Sequence, residues 1–356
     1  MIGFSVYLAN VDQNTEKDIK KMKDLGFKGI FTSLHIPEEE PSKYKERLKL
    51  LGKIASKFQL ELMADISPKS LSYLGLDWGN ANRLMEWGVS GLRVDYGVTE
   101  EMVAFLSRKM KIALNASTIR ENQVKLLQKY GANFKNMEAW HNYYPRPETG
   151  LAMSNFNEIN AWLKKEGFTV MAFVPGDGTR RGPLFQGLPT LEKHRKMSSF
   201  AAFLELYENK WVDKIYIGDP SVDQWSGEQF RMFLKEDVIL LHAKRFVNRP
   251  DINKYFESIQ SNRPDEARDV IRSAESRLMA LPGDSKIEPF HTVERPIGSI
   301  TIDNERYGRY QGEIQITKRD LPKDEKVNVI GRVINRDLPL LPYIKGGQKF
   351  AVQWKE

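Results

Sequence analysis

The chain of 356 residues contains no cysteine. That absence excludes disulfides, thiolate nucleophiles and every cysteine-ligated metal site, and it fits a reducing compartment. Histidine is scarce: His35, His141, His194, His242 and His291 lie far apart, with no pair at metal-ligand spacing. A zinc site would have to be assembled from distant strands and carboxylates, so neither a metal nor a cofactor is expected. No apolar run has the length of a transmembrane helix, and the first residues, MIGFSVYLANVD, lack a basic region and a small-residue cleavage site. No secretory signal is legible, and a cytoplasmic location is expected. Charge of one sign is not concentrated either. Residues 1–236 carry 33 basic and 29 acidic side chains and residues 237–356 carry 21 and 18, so the net +7 forms no block of the kind that binds nucleic acid.

What is present fits a soluble globular chain: 41% hydrophobic and 28% charged residues, with a mean hydropathy of −0.50. Eight short β-type runs recur with helical patterns between them: GFSVYL (3–8), GIFTSL (29–34), LELMADI (60–66), GLRVDY (91–96), KIALNAS (111–117), NMEAWHNY (136–143), TVMAFVP (169–175) and KIYIGDP (214–220). The intervening segments place apolar residues three and four apart and often end in glycine, as helices do. The alternation predicts an α/β architecture with a parallel sheet. Eight units fit a (β/α)8 TIM barrel over residues 1–236, with a doubly wound open sheet as the alternative. From 237 to 356 the pattern changes. A helical stretch near 264–280 precedes IGSITIDN, RYQGEIQITKRDLP, KVNVIGRVI and QKFAVQWKE, which predict a small β-barrel or sandwich domain.

In a parallel barrel, alternate strand residues point inward and chemistry sits at the carboxy-terminal strand ends. By that parity Ser5 and Tyr7, Asp65 and Ser67, Arg93 and Asp95, Asn115 and Ser117, and Glu138 and Asn142 face the barrel interior. Hydrophobic burial would not select such groups; they must be paired or used. Arg93 is expected to pair with Asp95, which would make Asp95 a poor acid. Glu138 is the favoured proton donor or nucleophile, beside Trp140, which could stack on a sugar ring. Asp65, with no evident partner in sequence, is the strongest second carboxylate. Arg93, Asn115, Asn142, His35 and His141 are candidate substrate contacts. Lys69 reads as a surface helix-start residue rather than a Schiff-base lysine, and Trp78, Trp87 and Trp162 read as core.

The seventh run leads into FVPGDGTRRGPLFQGLPTLEKHR (173–195), with four glycines and three prolines. Its Arg180, Arg181, His194 and Arg195 suggest a phosphate site at the loop after strand seven, since arginine forks and backbone N–H groups suit a dianion. Asp177, in the same loop, either joins the catalytic carboxylates or orients the arginines.

Taken together, TSLHIPEE (32–39), ADISPKSL (64–71), GLRVDYG (91–97), LNASTI (114–119), HNYYPRPETGL (141–151) and PGDGTRRGPLFQGLPTLEKHR (175–195) closely resemble the 6-phospho-N-acetylmuramidase family of Firmicutes. The resemblance implies a (β/α)8 barrel followed by a cyclophilin-like β-barrel domain. It also implies an exo-acting glycosidase that cleaves N-acetylmuramic acid 6-phosphate from N-acetylglucosamine in a disaccharide recovered from peptidoglycan. Glycosidases normally use two carboxyl groups, ~5–5.5 Å apart when retaining and ~6.5–9.5 Å when inverting, and an acetamido substrate also permits its own participation. Asp65, Asp95, Glu138 and Asp177 are the candidates, with Glu38 and Glu39 weaker; which is acid and which is nucleophile stays open. Part of 237–356 is expected to cap the strand-end face of its own barrel or of a partner subunit's, which leaves a homodimer open. Two other classes compete: a sugar-phosphate isomerase, epimerase or aldolase on the same barrel, and a non-enzymatic binding or prolyl-isomerase-like protein centred on the C-terminal domain.

Overall fold

The computed structural model describes residues 1–34, 41–249, 252, 256, 258–279 and 286–355. Two compact units divide the chain, Met1–Gly227 and Glu228–Glu356. The first is a closed, all-parallel barrel. Its strands are β1 (Ile2–Ser5), β2 (Gly29–Ser33), β3 (Glu61–Ile66), β4 (Gly91–Val94), β5 (Lys111–Asn115), β6 (Met137–Trp140), β7 (Thr169–Val174) and β8 (Lys214–Ile217). Strand β8 returns to β1 with Ile2 opposite Ile215 and Phe4 opposite Ile217, which closes the ring and rules out the open sheet.

Helices α1 (Thr15–Leu25), α2 (Tyr44–Lys57), α3 (Pro68–Tyr73), α4 (Glu100–Ser107), α5 (Glu121–Lys129), α6 (Met153–Lys165), α7 (Ser199–Tyr207) and α8 (Gln224–Glu236) follow their strands. Helix α3 starts on a Ser67/Ser70 capping box, in which each hydroxyl bonds the other residue's main-chain N–H. The run ANRLMEWG forms a 3-10 helix, Ala81–Trp87. Its carbonyl end passes so close to α2 that a Cβ on Gly52 would overlap the Trp87 oxygen.

Most observed strands end earlier than their β-type runs. Residues 6–7, 95–96, 141–143 and 218–220 leave the sheet as loops, and these are the segments that carry Tyr7, Asp95, Asn142 and Asp219.

The second unit holds a seven-stranded, nearly closed sheet in the order β10, β15, β9, β14, β12, β13, β11. Here β9 is Val238–Arg245, β10 Gln260–Ser261, β11 Val270–Arg272, β12 Ser299–Asp303, β13 Ile314–Thr317, β14 Val327–Val333 and β15 Lys349–Lys355. The edges meet through an Asn262–Ser273 bridge and the Arg263 N–H donating to the Arg272 carbonyl. Helix α9 is Ala274–Met279; residues 264–272 of the expected 264–280 helix are instead a turn after Pro264 and strand β11, paired with β13. Strand β9 went unread because VILLHAK lacks alternation: its first six residues are buried on both faces of the sheet.

Candidate active site

The barrel interior is built in tiers, and single strands climb through all of them. Strand β3 supplies Glu61, Met63 and Asp65; β5 supplies Lys111, Ala113 and Asn115; β6 and the loop beyond it supply Glu138, Trp140 and Asn142. The lowest tier, at the amino-terminal strand ends, is ionic. Lys214 Nζ donates to Glu61 (2.5 Å) and to Glu138 (2.7 Å), and Lys111 bonds the second Glu61 oxygen. Burial alone would raise the Glu61 pKa, but Lys214 and Lys111 outweigh it and the net shift is downward.

The middle tier is apolar: Phe31, Met63, Ala113, Trp140, Met171, Phe173 and Tyr216 pack together. Glycine at position 3 makes this possible, because a Cβ there would collide with the Tyr216 ring. Glu138 therefore lies below the aromatic layer. Its second oxygen accepts the Trp140 indole N–H at 2.7 Å. Glu138 and Trp140, expected as proton donor and sugar platform, are buried against one another and do not line the cavity above, and Glu138 is held by Lys214 as well.

The upper tier opens into a cavity of about 270 Å³ lined by Phe31, Asp65, Arg93, Asp95, Tyr96, His141, Asn142, Tyr143 and Phe173. Arg93 organises it. Its Nη1 donates to Asp65 at 2.8 Å and its Nη2 to Asn142 Oδ1 at 2.5 Å, while Ser33 Oγ donates to the other Asp65 oxygen at 3.0 Å. Burial works against the Arg93 charge, yet Asp65 and then Asp95 outweigh it and raise its pKa. The expected Arg93–Asp95 pair is thus replaced by Arg93–Asp65. Asp95 is exposed and accepts from Asn115 Nδ2 at 2.9 Å, while Asn115 Oδ1 is anchored by the Ser117 N–H. His141 reaches the cavity lining, but its Nε2–H is turned outward to Asn160 on α6 (2.7 Å), and burial lowers its pKa to about 4. His35 lies outside the described residues.

The arginine cluster divides. Arg181 stacks over the Tyr7 ring, 4.7 Å from its centroid, and donates to the Tyr143 hydroxyl at 2.8 Å, which connects it to the cavity wall. Burial raises the pKa of both tyrosines, so they stand as neutral phenols, and Tyr7 donates to the Gly218 carbonyl at 2.5 Å. Arg180 is exposed on the same loop.

Arg195 instead is buried and saturated. It forms a fork with Glu192 (2.6 Å to each oxygen) and bonds the carbonyls of Gly187 and Tyr144. His194, wholly enclosed, bonds Glu205 at 2.7 Å. Asp177 accepts from the Ser199 and Asp223 N–H groups and the Ser226 hydroxyl, tying the starts of α7 and α8 to the loop. These three do not reach the cavity lining. Their polarity is spent on loop architecture, which the sequence pattern resembles but does not distinguish from anion binding.

Asp219 escaped sequence reading. It is fully buried just past β8 and accepts three main-chain N–H groups of the β7 loop; the DP pair at the end of KIYIGDP was its one signal. Among the described residues, no three His, Asp or Glu side chains gather as metal ligands, and no helix is long and apolar enough to cross a membrane. Lys69 is exposed at the start of α3.

Comparison with known proteins adds the family. A family model described as 6-phospho-N-acetylmuramidase, N-terminal, matches residues 2–232, and its C-terminal counterpart matches residues 241–353. A crystal structure of a conserved Enterococcus faecalis protein of unknown function is 47% identical with a TM-score of 0.91, covering 100% of this chain and 96% of that one. An uncharacterized B. cereus protein shares the fold at 24% identity and a TM-score of 0.74, over 99% of both chains. No curated protein matches the chain.

Proposed function

We propose that this chain, which belongs to the 6-phospho-N-acetylmuramidase family, hydrolyses the β-1,4 bond between N-acetylmuramic acid 6-phosphate and N-acetylglucosamine, acting as a cytoplasmic glycosidase in cell-wall recycling. The observation that carries this reading is the pair Asp65 and Asp95 on the wall of one cavity at the carboxy-terminal mouth of the barrel. Two carboxyl groups in unlike surroundings are what most glycosidases use. Asp65, clamped by Arg93 and Ser33, faces the positive charge that develops on the sugar ring. Asp95, exposed and steadied on one oxygen by Asn115, delivers the proton to the departing oxygen, and a water oxygen takes that oxygen's place on the anomeric carbon, its surplus proton restoring the acid.

Asn142, oriented by Arg93, is a substrate contact, and Arg181 with Arg180 receives the 6-phosphate. The exposed position of Lys69 offers nothing to the aldolase alternative, since a Schiff-base lysine needs a desolvated site. Incubating the purified protein with the phosphorylated and the plain disaccharide, and following free N-acetylglucosamine, tests the reading. Release should be at least about 10-fold faster from the phosphorylated sugar, the worth of one charge-assisted contact. No release, or equal rates from both, would overturn it.

A further inference from the structure

Among the side chains that hold the loop carrying Arg180 and Arg181, Asp219 reaches Arg181 itself. Asp219 Oδ2 accepts the Gly176 N–H and the Leu188 N–H, each at 2.9 Å, and Oδ1 accepts the Arg181 N–H at 3.0 Å. A single carboxylate thus gathers the start, the middle and the end of a thirteen-residue excursion, 176–188. The glycines of the loop fit this clasp. A Cβ on Gly176 would come within 2.6 Å of the Asp219 Cβ, and one on Gly218 would overlap the Leu188 carbonyl. Next to the clasp, Tyr7 is fixed by its bond to the Gly218 carbonyl, and its ring is the surface on which the Arg181 guanidinium lies. Both the main chain and the side chain of Arg181 are therefore referenced to residues 218–219.

We infer that Asp219 is a positioning residue for anion recognition, setting where Arg181 presents its guanidinium to the phosphate of the substrate. The inference rests on the proposed function in so far as Arg181 meets the 6-phosphate. It assigns Asp219 no contact with substrate. In Asp219→Asn the amide can keep only one oxygen. Retaining the two bonds made at Oδ2 turns the new NH2 against the Arg181 N–H, two donors face to face, so Arg181 is the point that lets go.

The test measures kcat and KM on the phosphorylated and plain disaccharides for the full-length wild type, Asp219→Asn, Arg181→Ala and the double variant, with deuterium uptake across 176–188. Asp219→Asn should show faster exchange at Arg181 and a roughly 10-fold smaller preference for the phosphorylated sugar, expressed in KM, with turnover of the plain sugar within about twofold of wild type. The double variant should be no worse than Arg181→Ala, because Asp219 acts through Arg181.

Equal losses on both sugars, full additivity in the double variant, or a freed loop with unchanged preference would each overturn the inference. Asp219→Glu, which keeps the charge but displaces the oxygens by one methylene, should lower the preference in the same direction and serves if Asp219→Asn does not fold. A wild type indifferent to the phosphate, or an Arg181→Ala variant with undiminished preference, would overturn both the phosphate reading and this inference. A normal wild type and a responsive Arg181→Ala beside an unresponsive Asp219→Asn would overturn this inference alone.

Discussion

Arg181 and Arg195 stand fourteen residues apart in one basic cluster and do unrelated work. Arg195 is surrounded by the Glu192 carboxylate and several main-chain carbonyls, so a phosphate could reach it only by displacing Glu192. Arg181 is braced on two tyrosines, one of which lines the cavity. Arg195→Ala should therefore destabilise the fold by about 2 kcal/mol, the worth of the charge-assisted bonds that a buried arginine makes to a partly exposed carboxylate and main-chain carbonyls, while leaving the preference for phosphorylated substrate unchanged. Arg181→Ala should do the reverse, and thermal melts beside two-substrate kinetics check both. A sequence shows the two arginines alike because local composition records neither burial nor partners. The same blindness misassigned the partner of Arg93: parity correctly turned Arg93 inward, but strand pairing places Asp65 opposite it on the neighbouring β3, a contact 28 residues away.

At the scale of the element, the strands explain why Glu138 was attractive and why it does not line the cavity. Parity tells which face a residue joins and nothing about its height along the barrel. Glu138 is the second residue of β6, level with the strand starts that carry Lys214 and Lys111, whereas Asp65 is the fifth of the six residues of β3. Height depends on barrel stagger, a property of the closed sheet and not of any one strand. Glu138→Gln leaves Lys214 with one ionic partner in place of two. Its melting temperature should fall by several degrees, as expected for a loss of about 2 kcal/mol or more, while the kcat of the folded fraction stays near wild type. Eight strands and several of their inward residues were legible because βα alternation is a local pattern, whereas strand order and closure, set by the β8–β1 pairing, were not. The β9 strand was not, since its burial on both faces comes from the sheet it joins.

Among the described residues, His141 in one unit and Asp303 in the other give pH responses of opposite sign. In the barrel, burial holds the His141 pKa near 4 against an ordinary 6.5, so the folded chain prefers the neutral ring. The stability this contributes is complete above about pH 6.5 and is lost as pH falls toward 4. In the second unit, burial first and then Glu313 and Asp324 raise the Asp303 pKa from 3.8 to about 8, so the folded chain prefers the protonated acid. Here stability is complete below about pH 4 and is lost as pH rises toward 8. Calorimetry of the intact chain should accordingly show Asp303→Asn raising stability at pH 8, on the order of 2 kcal/mol, with little effect at pH 4. His141→Gln should flatten the decline between pH 6.5 and 4. Identical pH profiles in wild type and variants would contradict the assignment.

Whether chemistry resides at the carboxy-terminal mouth of the barrel is decided by the kcat of Asp65→Asn and Asp95→Asn on the phosphorylated disaccharide, each normalised to the folded fraction. Both substitutions preserve shape and remove the acidic function. The account predicts that each lowers kcat at least ~100-fold, the lower range of acid–base and charge-stabilising groups, with KM changed far less. Near-normal kcat in both, beside a comparable collapse in Glu138→Gln, would contradict it and return the chemistry to the buried ionic tier.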